Sequence, residues 1–357
     1  MIGKLGLSDF RNYQSLSLIF ESKTNLIIGD NGQGKTNLLE AIYYLSFLRS
    51  FKTSHLEYLK RVGSTGFYLS GNVLNNNYSK TLEVYNNDKK ILKIDGVSIN
   101  KASEFVGFIK PVVFTHDDIK LISSTAKLRR RYLDILISSL DKLYFSDLQN
   151  YAVALKSRNI LLKSANVDNN LISAYEPILA KYGKRILDIR YKVISQLQQR
   201  ADKIIKKIKG ETYNLQIIYY SRIKEEQNSE ENILSLINKD KEKDRFRAYT
   251  GIGPHMDDIF FYLNGKSLKN YGSIGECRLA TLCLKLAEAQ LVTENDKSNS
   301  IALVDDVTGE LDSKTKDAFF SVTEKFNQLF FTFTKYSDDS LFNSGAKYTV
   351  SNGMVNS

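Results

Sequence analysis

The sequence predicts an α/β fold of the P-loop type, assembled from both ends of the chain around an inserted helical second lobe. Three observations predict it. A short apolar run, Asn25-Leu26-Ile27-Ile28, enters a glycine-rich loop and leaves it as a helix-like segment, Asn37-Leu38-Leu39-Glu40-Ala41-Ile42. A second apolar run, Ile301-Ala302-Leu303-Val304, ends far down the chain in two adjacent carboxylates. Between them, from about Leu128 to Lys209, the pattern is helical.

The loop itself reads Gly29-Asp30-Asn31-Gly32-Gln33-Gly34-Lys35-Thr36, two glycines separated by four residues and followed by Lys-Thr. Its glycines permit backbone conformations closed to other residues, so that successive N–H groups and the helix terminus can face an anion. Lys35 is then placed to neutralise the β- and γ-phosphates of ATP, and the Thr36 hydroxyl is a hard oxygen ligand for Mg²⁺. A Gly-rich turn that merely happens to carry Lys-Thr is the alternative, and the flanking strand and helix argue against it.

At 357 residues the chain suits two lobes better than one core. A formal net charge of +10 points to a polyanionic partner, nucleic acid first. Cys277 and Cys283 have no neighbouring His or Cys to complete a metal site and fit a reducing compartment, so neither disulfide nor zinc is expected. No secretory leader and no membrane-length apolar run is legible, which predicts a cytoplasmic protein.

Along the chain, Leu16–Phe20 and Thr24–Ile28 read as strands. Gly66–Leu74, Thr81–Tyr85 and Lys90–Ile94 read as an antiparallel sheet turning at Asn86-Asn87-Asp88, and Pro111–Phe114 as another strand. In the helical stretch Ile186, Ile189, Val193, Leu197, Ala201, Ile204 and Ile208 share one face, read as core packing in preference to a zipper with a partner helix. Polar runs at Ser164–Asn170, Lys224–Glu231 and Lys239–Asp244 are the candidate linkers. A hairpin at Asn264-Gly265, a helix from Gly275, strands Ser300–Val304 and Leu329–Phe333, and a featureless tail complete the reading. The expected division is residues 1–120 and 246–357 for the ATPase lobe and 121–245 for the helical lobe.

The second site is Asp305-Asp306. A strand of this kind in a P-loop enzyme presents one Asp to the Mg²⁺ shell, here Asp305, while its neighbour Asp306 orients or deprotonates the attacking water. Lys35 and Asp305 stand 270 residues apart (305 − 35), so the site must be built from both chain ends.

Phe10-Arg11-Asn12-Tyr13, the phosphate loop through Tyr43, Val113–Asp118, Arg129-Arg130-Arg131-Tyr132-Leu133-Asp134, Gly253-Pro254-His255-Met256-Asp257-Asp258 and Asp305–Asp312 together resemble the RecF family. This is a group of DNA replication and repair ATPases within the ABC superfamily, related to SMC proteins. Ser273-Ile274-Gly275-Glu276-Cys277-Arg278 resembles the ABC signature. The resemblance implies that Ser273, Gly275 and Glu276 meet the γ-phosphate held by the opposite subunit, so that ATP joins a homodimer clamped on duplex or gapped DNA. It implies a γ-phosphate-sensing loop within 113–118, a slow DNA-stimulated ATPase, and work at single-strand gaps with RecR and RecO to help load RecA. Met256, His116, Ser124-Thr125-Ala126 and Cys277 depart from the family pattern. Without the other motifs, Ser273 to Glu276 reads equally as a helix N-cap.

Several basic clusters could meet DNA: Lys52, Lys60-Arg61, Arg129–Arg131 and the helix from Lys181 to Lys209. An ATP-binding subunit of another ABC machine, an SMC-like defence ATPase and a non-hydrolysing ATP-binding module are the rival readings.

Overall fold

The computed structural model describes residues 1–75, 77–164, 169–334 and 345–356. The chain forms two compact units, residues 1–118 with 288–357 and residues 119–287. The first expected boundary lies at 118/119. The second lies at 287/288 where 245/246 was expected, because the strand Asp258–Leu263 pairs along its length with Leu215–Tyr220 of the helical segment.

The first unit holds two six-stranded sheets. One is parallel except at its edge, in the order Met354–Asn356, Ala346–Ser351, Thr24–Ile28, Gln328–Phe333, Ser300–Asp305, Lys110–Phe114. Its central strands are covered on both faces, so they are apolar without alternation. The other sheet is antiparallel, ordered Tyr13–Ile19, Ile2–Phe10, Phe67–Asn75, Tyr78–Asn86, Lys90–Ile94, Val97–Ile99. Phe67–Asn75 buries alternate residues. The helix Lys35–Phe47 touches strands of both sheets and is buried nearly all round, which is why it is apolar on every face. The strands Ile2–Phe10 and Ala346–Ser351 lie where no strand was expected.

The second unit packs the helices Ala126–Leu140, Lys142–Leu162 and Asn169–Lys209 with a three-stranded antiparallel sheet, Lys266–Ser267, Asp258–Leu263, Leu215–Tyr220. Six of the seven residues of the predicted apolar face on the long helix are buried, and Ile189 is half-buried, as core packing requires. The side-chain amide of Gln198 donates to Leu215 O (2.8 Å) and accepts from Ile217 N, and so satisfies part of the edge strand. Of the expected linkers, Lys239–Asp244 is mostly helix, within Glu230–Lys239 and Lys241–Arg247, and Lys224–Glu231 holds a 3₁₀ turn and the start of a helix. Residues 165–168 of the third lie outside the described residues.

Two sequence motifs meet inside this unit. Arg129 is buried and donates both ways to Asp258 (2.6 and 2.9 Å), and Arg130 donates to Asp257 O (2.5 Å). Arg190, also buried, donates to Asp134 (2.8 Å) and to Pro254 O (2.6 Å). Arg129 is therefore a structural cation, which corrects its assignment to a DNA-facing cluster. Burial pushes Asp258 up, but the Arg129 guanidinium and the Ile259 amide outweigh it and leave the carboxyl lowered. His255 Nε2 donates to Thr250 O (2.8 Å) while Nδ1 accepts from Tyr151 OH (2.7 Å). Burial, aided by nearby guanidinium groups and opposed by the Thr250 carbonyl, holds His255 down at about 4.

A folded-state value below the unfolded one means that this contribution is complete above the unfolded value, roughly 6.5, and is lost as pH falls towards 4. Lowering pH from about 7.5 to 5 is expected to cost this unit about 2 kcal/mol through His255. Urea unfolding of wild type and His255→Gln at both pH values checks this: the variant should show the smaller pH dependence.

Candidate nucleotide site

The loop Gly29–Thr36 leaves the strand Thr24–Ile28 and enters the helix Lys35–Phe47. Gly32 and Gly34 have φ of +81° and +118°, conformations that L side chains rarely adopt. A Cβ on Gly29 would meet Val350 O at 2.3 Å, so the last parallel strand also demands glycine there.

The turn Arg11–Tyr13 braces this loop. Asn12 Nδ2 donates to Gln33 O (2.8 Å), Tyr13 OH donates to Gly34 O (3.0 Å), and Asn37 Nδ2 donates to Asn12 Oδ1 (2.9 Å). Arg11 makes two 2.7 Å bonds to Glu40, which is fully buried in the helix and also accepts from Ser50 Oγ. The Phe10–Tyr13 motif thus holds the loop in place.

Lys35 is buried, and its ammonium donates to Gly29 O (2.7 Å) and Asp30 O (2.9 Å). Burial pushes its pKa down, against Asp306, Asp305 and Asp30, which favour the charge. A desolvated ammonium that donates to loop carbonyls, beside glycine N–H groups, suits a phosphate.

The carboxylates arrive on Ser300–Asp305, the strand next but one to Thr24–Ile28. Asp305 Oδ1 accepts from Thr36 Oγ1 and from Thr332 Oγ1, each at 2.9 Å. Asp306 has φ +57°; its carbonyl accepts from His116 Nε2 (2.9 Å), and its Oδ2 lies 3.1 Å from Thr334 Oγ1, itself 3.1 Å from Asn31 Oδ1. Glycines 29, 32 and 34 with Asp30, Asn31, Gln33, Lys35, Thr36, Asp305 and Asp306 therefore belong to one locality. Among the described residues no three His, Cys, Asp or Glu side chains stand close enough to hold a metal alone. Thr36 and Asp305 fit an ion that takes its remaining oxygens from phosphate and water.

The sequence reading missed Thr332 and Thr334. Their signal was the pair of threonines in the otherwise apolar Leu329-Phe330-Phe331-Thr332-Phe333-Thr334. His116, a departure from the family pattern, reaches the carbonyl of Asp306.

Ser273, Gly275 and Glu276 lie in the other unit, at the start of Ile274–Asn295, all exposed. Glu276 Oε2 accepts from Ser273 N (2.8 Å) and Oγ (2.9 Å), and Ser273 Oγ accepts from Glu276 N (3.2 Å), a capping box. The N-cap reading of this motif is thus realised. A Cβ on Gly275 would meet nothing within 4 Å among the described residues, and its φ is not positive.

Residues 1–340 match the RecF/RecN/SMC N terminal domain family. Among curated proteins, the DNA replication and repair protein RecF of Clostridium perfringens is 33% identical over 317 residues, 88% of each chain. The protein of that name from Clostridium novyi is 32% identical over 362 residues, 99% of each. The chain belongs to the RecF family. A solved structure of the recombination mediator protein RecF with ATP, in the RecFOR pathway, superposes with TM-score 0.91 at 33% identity, covering 99% of this chain and 96% of that one. An Smc head domain bound to the C-terminal winged-helix domain of ScpA superposes with TM-score 0.54 at 15% identity and shares the fold alone. The chain thus has the fold of an ABC-type ATPase head with a helical second lobe, and among the described residues no helix is long and apolar enough to cross a membrane.

The Arg11–Glu40 pair sits directly behind the phosphate loop. Glu40→Ala leaves the Arg11 guanidinium uncompensated, with a cost of roughly 3–5 kcal/mol. Denaturant unfolding monitored by circular dichroism should show that loss.

Proposed function

We propose that this chain is an ATP-dependent DNA-binding protein of recombinational repair and replication restart. In this reading ATP drives two copies to close as a homodimer on duplex DNA near single-strand gaps, and slow hydrolysis releases them. RecO and RecR are the expected partners, RecA loading the expected outcome, and the cytoplasm the expected compartment. The RecF-family relatives and the ATP-bound RecF structure support ATP, DNA repair and this pathway.

The observation that carries the dimer is Gly275. Glycine costs a helix interior about 1 kcal/mol relative to alanine, and at this exposed first turn neither space among the described residues nor φ requires it. Close approach by something outside the chain accounts for it. The phosphate of a nucleotide held by another copy fits, because a helix N-terminus with a serine hydroxyl favours an anion. Gly309, in the Gly309–Asp312 stretch that resembles the family's dimer-facing loop, likewise has nothing within 4 Å of a Cβ among the described residues.

Within one copy, Gly29 to Gly34 would cradle the phosphates, Lys35 neutralise them, and Thr36 and Asp305 hold Mg²⁺. The ion, when bound, supplies charge stabilisation at the phosphoryl oxygens. Asp306 would accept the proton of the attacking water, with Thr334 and His116 fixing its orientation. The ligand bridges surfaces that only the dimer brings together, so its binding shifts the monomer–dimer equilibrium.

Light scattering with and without Mg-ATP tests the reading. Wild type should double in mass with ATP, while Lys35→Met and Ser273→Arg should each stay monomeric. An equimolar mixture of the two variants should recover dimer, since one heterologous site is intact. A wild type that stays monomeric, or variants that dimerise alone, contradicts it. Asp306→Asn should still dimerise, with hydrolysis lowered about 10²- to 10⁴-fold in a phosphate-release assay.

A further inference from the structure

Phe246 is 92% exposed, at the end of the seven-residue helix Lys241–Arg247. Arg247 and Tyr249 beside it are exposed as well. An isolated exposed apolar residue needs no explanation, but this one stands on a firmly fastened segment. Ala248 takes φ +58°, a left-handed conformation unfavourable for a residue with a Cβ, and closes the helix through Ala248 N to Arg245 O (3.2 Å) and Tyr249 N to Asp244 O (3.2 Å).

Beneath the turn lies a buried anchor. Asp244 is fully buried, accepts from Arg158 Nη1 (2.7 Å) through one oxygen and from Gly251 N (2.8 Å) through the other. Arg158, equally buried, also donates to Thr250 Oγ1 (2.8 Å) and Glu176 (3.3 Å). Both ends of the turn, Asp244 and Thr250, are thereby fixed to one guanidinium, and the residues between them are held outward.

The charge around Phe246 that meets solvent is mostly positive. Of the acids in 239–249, Asp244 is matched by Arg158, and Asp240 is buried and paired with Arg222 (2.9 Å). Glu242 is exposed and bound by Arg245 (2.6 Å). Lys243 lies 3.5 Å from Asp240, while Lys239 and Arg247 remain exposed and Arg247 has no acidic partner among the described residues. A firmly held aromatic beside an arginine without an acidic partner is the chemistry that stacks on an unpaired base while holding its phosphate. A duplex offers no such free base face.

We propose that the Phe246–Tyr249 turn is a contact for single-stranded nucleic acid, Phe246 stacking on an unpaired base and Arg247 meeting the adjacent phosphate. It rests on the DNA-binding reading above and adds a second, strand-selective surface to it. Gapped DNA is then recognised through two chemistries on one chain: backbone contact with duplex and stacking on the unpaired segment.

Fluorescence anisotropy of the full chain with Mg-ATP, against labelled oligo(dT), blunt duplex and gapped duplex, tests it. Phe246→Ala is expected to weaken oligo(dT) and gapped-DNA binding by about fivefold or more, leave duplex binding unchanged, and leave the salt slope unchanged. Arg247→Ala should reduce the salt slope for oligo(dT) by about 0.7. If wild type binds both oligo(dT) and duplex and Phe246→Ala binds oligo(dT) as wild type does, the turn is not a strand contact and this inference fails alone. If Phe246→Ala weakens all three DNAs equally, stacking on an unpaired base is likewise refuted. If wild type binds none of them, the DNA-binding reading fails as well. Since Phe246 is exposed, an unchanged melting temperature is expected and serves as the folding control.

Discussion

The strand Thr24–Ile28 is hydrogen-bonded on one side to Gln328–Phe333 and on the other to Ala346–Ser351, and everything in the nucleotide site follows from that parallel pairing. It delivers the phosphate loop to a place walled by the end of the chain: Gly29 N donates to Phe333 O (3.2 Å), and the Gly29 Cα faces Val350 O too closely for any side chain. The next strand along, Ser300–Asp305, then brings Asp305 to Thr36. Closing so long a span is not prohibitive, because loop entropy grows only with the logarithm of length, about 0.6 kcal/mol for each doubling. A whole helical unit can therefore be inserted between the two halves of one site.

Charge is used differently in the two units. Behind the phosphate loop the half-buried Arg11, paired with the buried Glu40, ties the bracing turn to the helix that carries Lys35 and Thr36. In the helical unit Arg129, Arg158 and Arg190 join segments far apart in sequence, each meeting a carboxylate at 2.6–2.8 Å. Buried pairs of this kind add little net stability over apolar packing but are costly to break singly. Their effect here is positional: they fix the 253–258 segment and the 244–251 turn.

The sequence made the two halves of the nucleotide site legible because their residue types are dictated by chemistry: glycines where φ is positive, Lys and Thr beside phosphate, acids at the end of a buried strand. It was less informative wherever a residue's partner is remote. Arg129 and the Lys239–Asp244 run resemble solvated charge until Asp258 and Arg158 are seen beneath them. The strand Ile2–Phe10 was obscured by Gly3 and Gly6, which lower strand propensity, and by a register shift between Ile2 and Lys4 that breaks the alternation. Cβ atoms there would meet Leu74 Cδ1 at 2.6 Å and Ser70 Oγ at 2.4 Å, so those side chains would have to shift. Ala346–Ser351 is half polar and owes its strand to the Thr24–Ile28 edge it completes. The signature segment was legible as a motif, but its capping box satisfies the same letters, so the informative detail became the open space around Gly275.

In the proposed reading, ATP is held first by one chain and then shared by two. Hydrogen exchange with and without Mg-ATP, at two protein concentrations below and above dimerisation, tests it most directly. The account predicts ATP protection of residues 29–36 and 304–306 at both concentrations, and protection of 273–277 only at the higher one. Protection of 273–277 that is absent, or independent of protein concentration, would contradict it.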